Sequence, residues 1–140
     1  MYDIAPEVVT IAEACLGGLR GRSALLIGPD ERRGPYAYLL RNAQMRQVYQ
    51  EDTPLHIVSL LPTVELLISL PSPDGSGSRF QLSAAALATA CDGRRNPLVI
   101  FDLSPTASVE ELAGLLPAVC LYTPDDLRRI LIRNREMKAS

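Results

Sequence analysis

The sequence predicts an α/β domain built on a doubly wound, mostly parallel sheet. Apolar runs of strand length alternate with segments of helical periodicity along most of the chain, which is typical of that class. The run over 98–103 is almost entirely apolar, as expected of a parallel strand that is buried on both faces. The chain has 140 residues, of which 47% are hydrophobic, enough for one core. We therefore expect a single domain over 1–140, with a leading helix and linker over 1–22 and the α/β core over 23–140.

The first half of the chain predicts two helices and two strands. An apolar stripe at helical spacing, with Pro6 suited to the first turn, predicts a helix over 6–19 that glycines then stop. A buried strand is expected over 24–27. Gly34 and Pro35 mark the start of a second helix over 34–42, and a short strand is expected over 47–49.

The middle of the chain carries two apolar runs, 55–61 and 64–70, separated by Pro62. His56 lies in the first of them, at an alternating strand start. The Pro/Gly/Ser-rich stretch 71–78 predicts a loop. Ser83 is placed to cap an alanine-rich helix that ends near Gly93.

The last third predicts two capped helices around one strand. Ser108, with Glu111 three residues on, has the pattern of a capping box, and its helix should end by Pro117. A strand is expected over 119–122. Thr123 then caps a final helix whose first turn holds a proline and two carboxylates.

Composition excludes several function classes. A net charge of −2 gives no general attraction to nucleic acid, and no apolar run approaches the ~20 residues of a membrane helix. The acidic N-terminus does not resemble a signal peptide, so we expect a cytoplasmic protein.

Cys15, Cys91 and Cys120 are widely spaced among apolar residues and are expected to be buried, reduced thiols. With His56 as the only histidine, no metal site is expected.

The segment 23–34 is the most informative of the chain. An apolar strand ends at Gly28, a polar turn follows, and Gly34 opens a helical pattern. This is the outline of a Rossmann-like dinucleotide-binding turn, whose fingerprint is Gly-x-Gly-x-x-Gly. Pro29 and Asp30 stand where the middle glycine would let the backbone approach a pyrophosphate, and a carboxylate there disfavours an anion. The nucleotide site is therefore expected to be reshaped or lost.

Two pairs of charged residues are candidates for contacts with a nucleotide. Arg32 and Arg33 could supply a pyrophosphate with the positive charge that the missing glycine no longer provides, or could be exposed or contact a protein. Glu51 and Asp52 fall about 24 residues after Gly28, near the position of the acid that binds a ribose 2′-hydroxyl. A carboxylate there favours NAD over NADP, and the alternative is a solvated acidic turn.

Three segments resemble the nicotinamide-dinucleotide-binding domain of the glutamyl-tRNA reductase family. Residues 94–105 read Arg-Arg-Asn-Pro-Leu-Val-Ile-Phe-Asp-Leu-Ser-Pro, similar to the family's basic pair, strand, aspartate and proline. Residues 115–127 resemble its Leu-Pro-Gly-Val-x-Leu-Tyr-x-x-Asp-Asp-Leu. The helix, linker and first strand over 8–28 fit as well. The resemblance covers nearly the whole chain and implies a cofactor domain of an oxidoreductase that reduces glutamyl-tRNA on the route to 5-aminolevulinate and tetrapyrroles, including porphyrins.

The chain also departs from that family. The resemblance extends neither to the family's catalytic domain, with its cysteine in Thr-Cys-Asn-Arg, nor to its helical dimerisation domain, so no catalytic residue is expected among these residues. The Gly-Ala-Gly-Glu-Met-Gly turn becomes a turn that is one residue longer. Gln50-Glu51-Asp52 replaces Asn-Arg-Thr, and Leu70-Pro71-Ser72 replaces a Thr-Gly. The expected cofactor-binding residues are Gly28, Pro29, Asp30, Arg32, Arg33, Gly34, Glu51, Asp52, Leu70 and Ser72.

Two functions remain open at this point. The chain is either an NAD(H)- or NADP(H)-binding domain of a glutamyl-tRNA-reductase-like oxidoreductase, or a non-catalytic relative that binds or assembles proteins after losing the cofactor. NAD(H) is expected to bind weakly and in preference to NADP(H). A homodimer or a partner protein is expected to cover the first helix through Val8, Ile11 and Cys15.

Overall fold

The computed structural model describes residues 4–52, 56–71, 82–104 and 108–139. Five helices and five strands alternate along them, with two short 3₁₀ helices. In chain order they are α1 Ala5–Leu16, β1 Ser23–Ile27, α2 Asp30–Asn42, β2 Gln47–Glu51, α3 Ile57–Leu60 followed by the 3₁₀ helix Leu61–Thr63, β3 Leu66–Ser69, α4 Ala84–Ala90, β4 Leu98–Asp102, the 3₁₀ helix Glu111–Leu115, β5 Val119–Tyr122 and α5 Pro124–Ala139.

The five strands form one parallel sheet in the order β2-β1-β3-β4-β5. Every residue of β1 and β4 is buried, and both strands lie inside the sheet, as their uninterrupted apolar character predicts. The order reverses between β1 and β3, because the chain first moves from β1 to β2 and then returns to the other side of β1.

Both faces of the sheet are covered, which confirms the doubly wound α/β prediction. On one face, α1, α2 and Leu127 of α5 pack on strand residues such as Leu26 and Phe101. On the other face, α3, α4 and the 3₁₀ helix Glu111–Leu115 pack on residues such as Leu25 and Ile100. Neighbouring positions of one strand alternate between the two cores, as strand geometry requires.

The second helix begins four residues earlier than the sequence predicts. Pro29 has an extended backbone (φ −63°, ψ 148°) and precedes the first helical residue, Asp30. Asp30 and Glu31 then lie in the first turn, where carboxylates are stabilised by the positive end of the helix dipole. Pro35 therefore lies inside α2 instead of at its start. The predicted helix start at Gly34 was wrong, because it rested on a proline in the first turn and Pro35 instead lies within the helix.

Other predicted elements differ in detail. The first helix ends at Leu16, since Gly17 takes a left-handed conformation (φ +69°), and β2 extends to Glu51. His56 precedes the short helix Ile57–Leu60, so its strand assignment was wrong. Ser83 caps α4 by accepting a hydrogen bond from the N–H of Ala86, as predicted.

Ser108 does not cap a helix. Its N–H and its hydroxyl both donate to the buried carboxylate of Asp102, and Glu110 precedes a 3₁₀ helix. The cap predicted at Thr123 is confirmed, because Thr123 Oγ1 accepts from the N–H of Asp126, and Asp126 Oδ2 accepts in turn from the N–H of Thr123.

The apolar stripe of α1 packs within the chain. Val8 is fully buried, and Ile11 is half-buried against the same core. Cys15 is exposed, contrary to the expectation that it is a buried thiol; Cys120 is exposed as well, and only Cys91 is buried. An association of α1 with a partner through its outward residues stays a prediction.

Candidate functional site

The reversal of strand order places a crevice at the carboxyl ends of β1 and β3, which is where open α/β sheets bind ligands. Gly28 follows β1, and Leu70 follows β3. The N-terminus of α2 and the end of β2 lie on the same edge of the sheet. Most of the residues predicted from the sequence to bind a cofactor are therefore brought to this one edge.

Gly28 is required by its conformation and by its neighbour. Its φ of +144° is rarely adopted by other residues, and its N–H donates to the carbonyl oxygen of Glu51 at 2.9 Å. A Cβ on Gly28 would lie only 2.8 Å from the Cβ of Leu70. The backbone at the end of β1 thus lies so close to Leu70, the residue after β3, that no side chain larger than that of glycine fits at position 28.

The turn after Gly28 has the ordinary fingerprint length. Because α2 begins at Asp30, Asp30 and Arg33 stand at the positions of the second and third glycines in Gly-x-Gly-x-x-Gly. The prediction of a longer turn was wrong. Gly34 does not replace the third glycine, which serves close helix–strand packing, because a Cβ there would meet nothing within 4 Å.

Arg33 fills the space that the third glycine would leave open. Its side chain is only 10% exposed, and its Nη2 lies 3.2 Å from Asp30 Oδ1 and 3.2 Å from Asp52 Oδ1. Its Nε is buried and has no hydrogen-bond partner among the described residues. The cluster holds two carboxylates and one guanidinium and is net negative. Arg33 is thus a buried, ion-paired arginine and not an exposed one, and its contact with a pyrophosphate stays a prediction.

The acidic residues after β2 have different partners. Asp52 is 78% exposed and pairs with Arg33. Glu51 lies opposite Ile27 in the sheet, and its Oε1 is 3.1 Å from Nδ1 of the exposed His56. Both carboxylates therefore sit at the β2 side of the crevice, where the sequence predicts them, and each is already engaged.

The other predicted residues contribute less. Pro29 sets the extended entry to α2, Arg32 is half-buried in the first turn of that helix, and Leu70 is buried beside Gly28. Ser72 lies outside the described residues.

Sequence reasoning missed a buried polar cluster at the ends of β3 and β4. Asp102 accepts four hydrogen bonds, from the N–H groups of Ser104, Ser108 and Val109 and from the hydroxyl of Ser108, at 2.7 to 3.2 Å. The hydroxyl of Ser69 lies 2.8 Å from that of Ser108. The available signal was an aspartate ending an apolar strand with serines following. The cluster anchors the chain after β4 and leaves little acceptor capacity on Asp102 for a ligand.

A cavity of about 190 Å³ lies beside the carboxyl end of β4, next to that cluster. Its walls are mainly apolar and include Leu103, Leu127 and Leu131. The hydroxyl of Ser104, which also lines it, is buried and has no partner in the part of the chain that the structure describes. The cavity can therefore accept an apolar ring and donate or accept one hydrogen bond.

Within the described ranges, no three histidine, cysteine or acidic side chains come together as metal ligands. A search of the same ranges finds no helix that has both the length and the apolar character to cross a bilayer.

The fold and the turn after β1 define a Rossmann-like α/β domain with an altered dinucleotide-binding fingerprint. No family model matches the chain. It is 28% identical to the glutamyl-tRNA reductase of Methanospirillum hungatei over 149 aligned residues, covering 91% of this chain and 35% of that protein. It is 29% identical to the glutamyl-tRNA reductase of Alkalilimnicola ehrlichii, covering 97% of this chain and 34% of that protein.

Solved structures agree on the fold. The glutamyl-tRNA reductase of Methanopyrus kandleri superposes with a TM-score of 0.79 at 22% identity, covering 99% of this chain and 39% of that one. The NADPH-dependent glyoxylate/hydroxypyruvate reductase of Sinorhizobium meliloti gives 0.59 at 14% identity, over 80% of this chain and 72% of that one. The chain is thus similar to a part of glutamyl-tRNA reductase, and it spans about a third of the length of those curated relatives.

Proposed function

We propose that the chain binds a nicotinamide dinucleotide as the cofactor domain of a glutamyl-tRNA-reductase-like oxidoreductase of tetrapyrrole biosynthesis, acting in the cytoplasm. The observation that carries the proposal is Gly28 at φ +144°, at the end of β1, where the strand order reverses and α2 begins two residues later. That combination is the scaffold on which such folds hold a pyrophosphate.

The cofactor would lie across the carboxyl edge of the sheet. Asp52, at the end of β2, is placed to accept hydrogen bonds from the adenosine ribose. The pyrophosphate would face the N-terminus of α2, and the apolar cavity beside β4 offers walls for the nicotinamide ring. Asp30 and Glu31 in the first turn of α2 oppose an anion there, which supports weak binding.

The charges at the β2 side favour NAD(H) over NADP(H). A 2′-phosphate would approach Asp52, while the buried guanidinium of Arg33 is shared between Asp52 and Asp30. Glu51 adds a further carboxylate nearby. A dianionic phosphate therefore meets a net negative cluster, whereas a free 2′-hydroxyl can donate to it.

Titration calorimetry with the reduced and oxidised forms of both dinucleotides tests this proposal. NAD(H) should bind more tightly than NADP(H), and Asp52→Ala should reduce the preference. Asp92→Ala is the matched control, because Asp92 is an exposed carboxylate that follows α4, at the opposite edge of the sheet. Tighter binding of NADP(H), or an equal response of both variants, would contradict the proposal.

One observation favours the second candidate, a non-catalytic binding or assembly module. Arg33 occupies the third-glycine position and joins two carboxylates across the place where a nucleotide would enter. If a folded sample binds neither dinucleotide at millimolar concentration, the cofactor function is wrong and this alternative stands. Circular dichroism on the same sample shows that the protein is folded.

A further inference from the structure

Two exposed cysteines and one tyrosine lie on α1 and β5, away from the crevice. Cys15 lies in the last turn of α1, and Cys120 lies on β5, an edge strand of the sheet. The Sγ of Cys15 is 3.0 Å from the hydroxyl oxygen of Tyr122. Cys15 and Tyr122, which are 107 positions apart in the sequence, therefore meet at a site that the proposed cofactor function does not use.

Cys120 faces the same side of the sheet as α1. It is paired in register with Val99, whose side chain belongs to the core beneath α1 and α2. Side chains two residues apart on a strand share a face, so Cys120 and Tyr122 project together. The ring of Tyr122 is held in place by stacking on Phe101, with centroids 4.9 Å apart and planes at 7°.

The electrostatics of the three groups agree with this placement. The hydrogen bond with Cys15 is the largest cause that raises the pKa of Tyr122, followed by burial, and Cys120 adds to it. Burial chiefly raises the pKa of Cys120, with a contribution from Cys15, while a hydrogen bond from Tyr122 lowers it. These directions are the ones expected when both thiols lie near the same hydroxyl.

We propose that Cys15 and Cys120 form a dithiol site that closes to a disulfide, linking α1 to β5, by exchange with a small-molecule disulfide. The Cys15 thiolate, which accepts a hydrogen bond from Tyr122, attacks one sulfur of the small disulfide and releases the first small thiolate. The Cys120 thiolate then attacks the Cys15 sulfur of this mixed disulfide and releases the second. Two protein thiols lose two protons and two electrons, and one small disulfide becomes two thiols.

Cys91 provides an internal comparison for this chemistry. It is buried in the core on the other face of the sheet, and burial raises the pKa of its thiol. It lies neither beside Tyr122 nor at the surface, so it should stay reduced when Cys15 and Cys120 are oxidised.

Peptide mapping after treatment with glutathione disulfide tests the proposal. Trypsin separates the three cysteines, because Cys15 falls in peptide 1–20, Cys91 in 80–94 and Cys120 in 96–128. The folded, monomeric protein should yield peptides 1–20 and 96–128 joined, with 80–94 free. Cys91→Ser should leave the joined pair unchanged, whereas Cys120→Ser should abolish it and leave Cys15 carrying glutathione.

Two outcomes would contradict the proposed disulfide. One is full glutathionylation of Cys15 and Cys120 without any joined pair. The other is a pair that forms only between separate molecules, seen as a dimer on a non-reducing gel. Tyr122→Phe keeps the ring stack and removes the hydroxyl, so it should slow formation of the joined pair several-fold at neutral pH. An unchanged rate would remove Tyr122 from the mechanism.

Discussion

The guanidinium of Arg33 lies 3.2 Å from the carboxylate of Asp52 and so joins the first half of α2 to the end of β2. The arginine is buried and the aspartate exposed, so the ion pair runs from the interior to the surface at this edge of the sheet. In the fingerprint this arginine replaces a glycine whose role is to leave space. A nucleotide ribose that binds at Asp52 must therefore displace the guanidinium of Arg33 or compete with it for the carboxylate. This competition is the structural reason for expecting weak affinity.

Arg33→Gly should strengthen NAD(H) binding by about tenfold, the worth of one charge-assisted hydrogen bond of about 1.5 kcal/mol. The change frees Asp52 and restores the fingerprint glycine. Calorimetry measures the affinity, and Arg41→Gly, an exposed arginine in the last turn of the same helix, is the control for the helical cost of glycine. Weaker binding by Arg33→Gly alone would mean that Arg33 instead contributes its charge to the cofactor.

Two glycine substitutions should have very different effects on stability. Gly28→Ala should lower the free energy of unfolding by about 2 kcal/mol, because its φ is +144° and the new Cβ would lie 2.8 Å from that of Leu70. Gly34→Ala should change it by less than about 1 kcal/mol. The gain from replacing a helical glycine is offset by crowding between the new Cβ and the ring of Pro35, and apart from its chain neighbours that Cβ meets no atom within 4 Å. Urea denaturation of both variants measures the effects. Equal effects would contradict the structural assignment of the turn.

The sequence predicts the parallel sheet well because β1 and β4 carry the pattern of strands buried on both faces, and the structure places both inside the sheet. The sequence also predicts the turn at Gly28, because a glycine at the end of a strand indicates a backbone conformation or a close approach that other residues do not allow. It does not predict the ion pair between Arg33 and Asp52, because no local rule pairs side chains from different elements. The helix cap predicted at Ser108 was wrong for the same reason. Its pattern suits a helix cap, but the distant carboxylate of Asp102 accepts both of its donors.

Tyr122 should make the fold sensitive to alkaline pH. Because its pKa is raised in the folded state, chiefly by the hydrogen bond with Cys15, its stabilising contribution is complete below the unfolded value of about 10 and is lost as the pH rises toward the folded value. Tyr122→Phe should therefore flatten the fall in stability above about pH 10, measured by denaturation at several pH values. Tyr38→Phe, at an exposed tyrosine, is the control. A slope that Tyr122→Phe leaves unchanged would count against the hydrogen bond.

The chain by itself should not reduce glutamyl-tRNA. A reduction that proceeds through a thioester would need an accessible, activated cysteine, and thiolate character requires an electropositive site. Burial raises the pKa of Cys91 and Cys120, and Cys91 faces the core. Cys15 meets Tyr122 at the β5 edge, with β4 between β5 and the β1–β3 crevice.

An assay for glutamate semialdehyde with reduced cofactor should show no product, whereas a full-length glutamyl-tRNA reductase under the same conditions should form it. Product that disappears when all three cysteines are replaced by serine would refute this prediction and give the chain a catalytic thiol of its own.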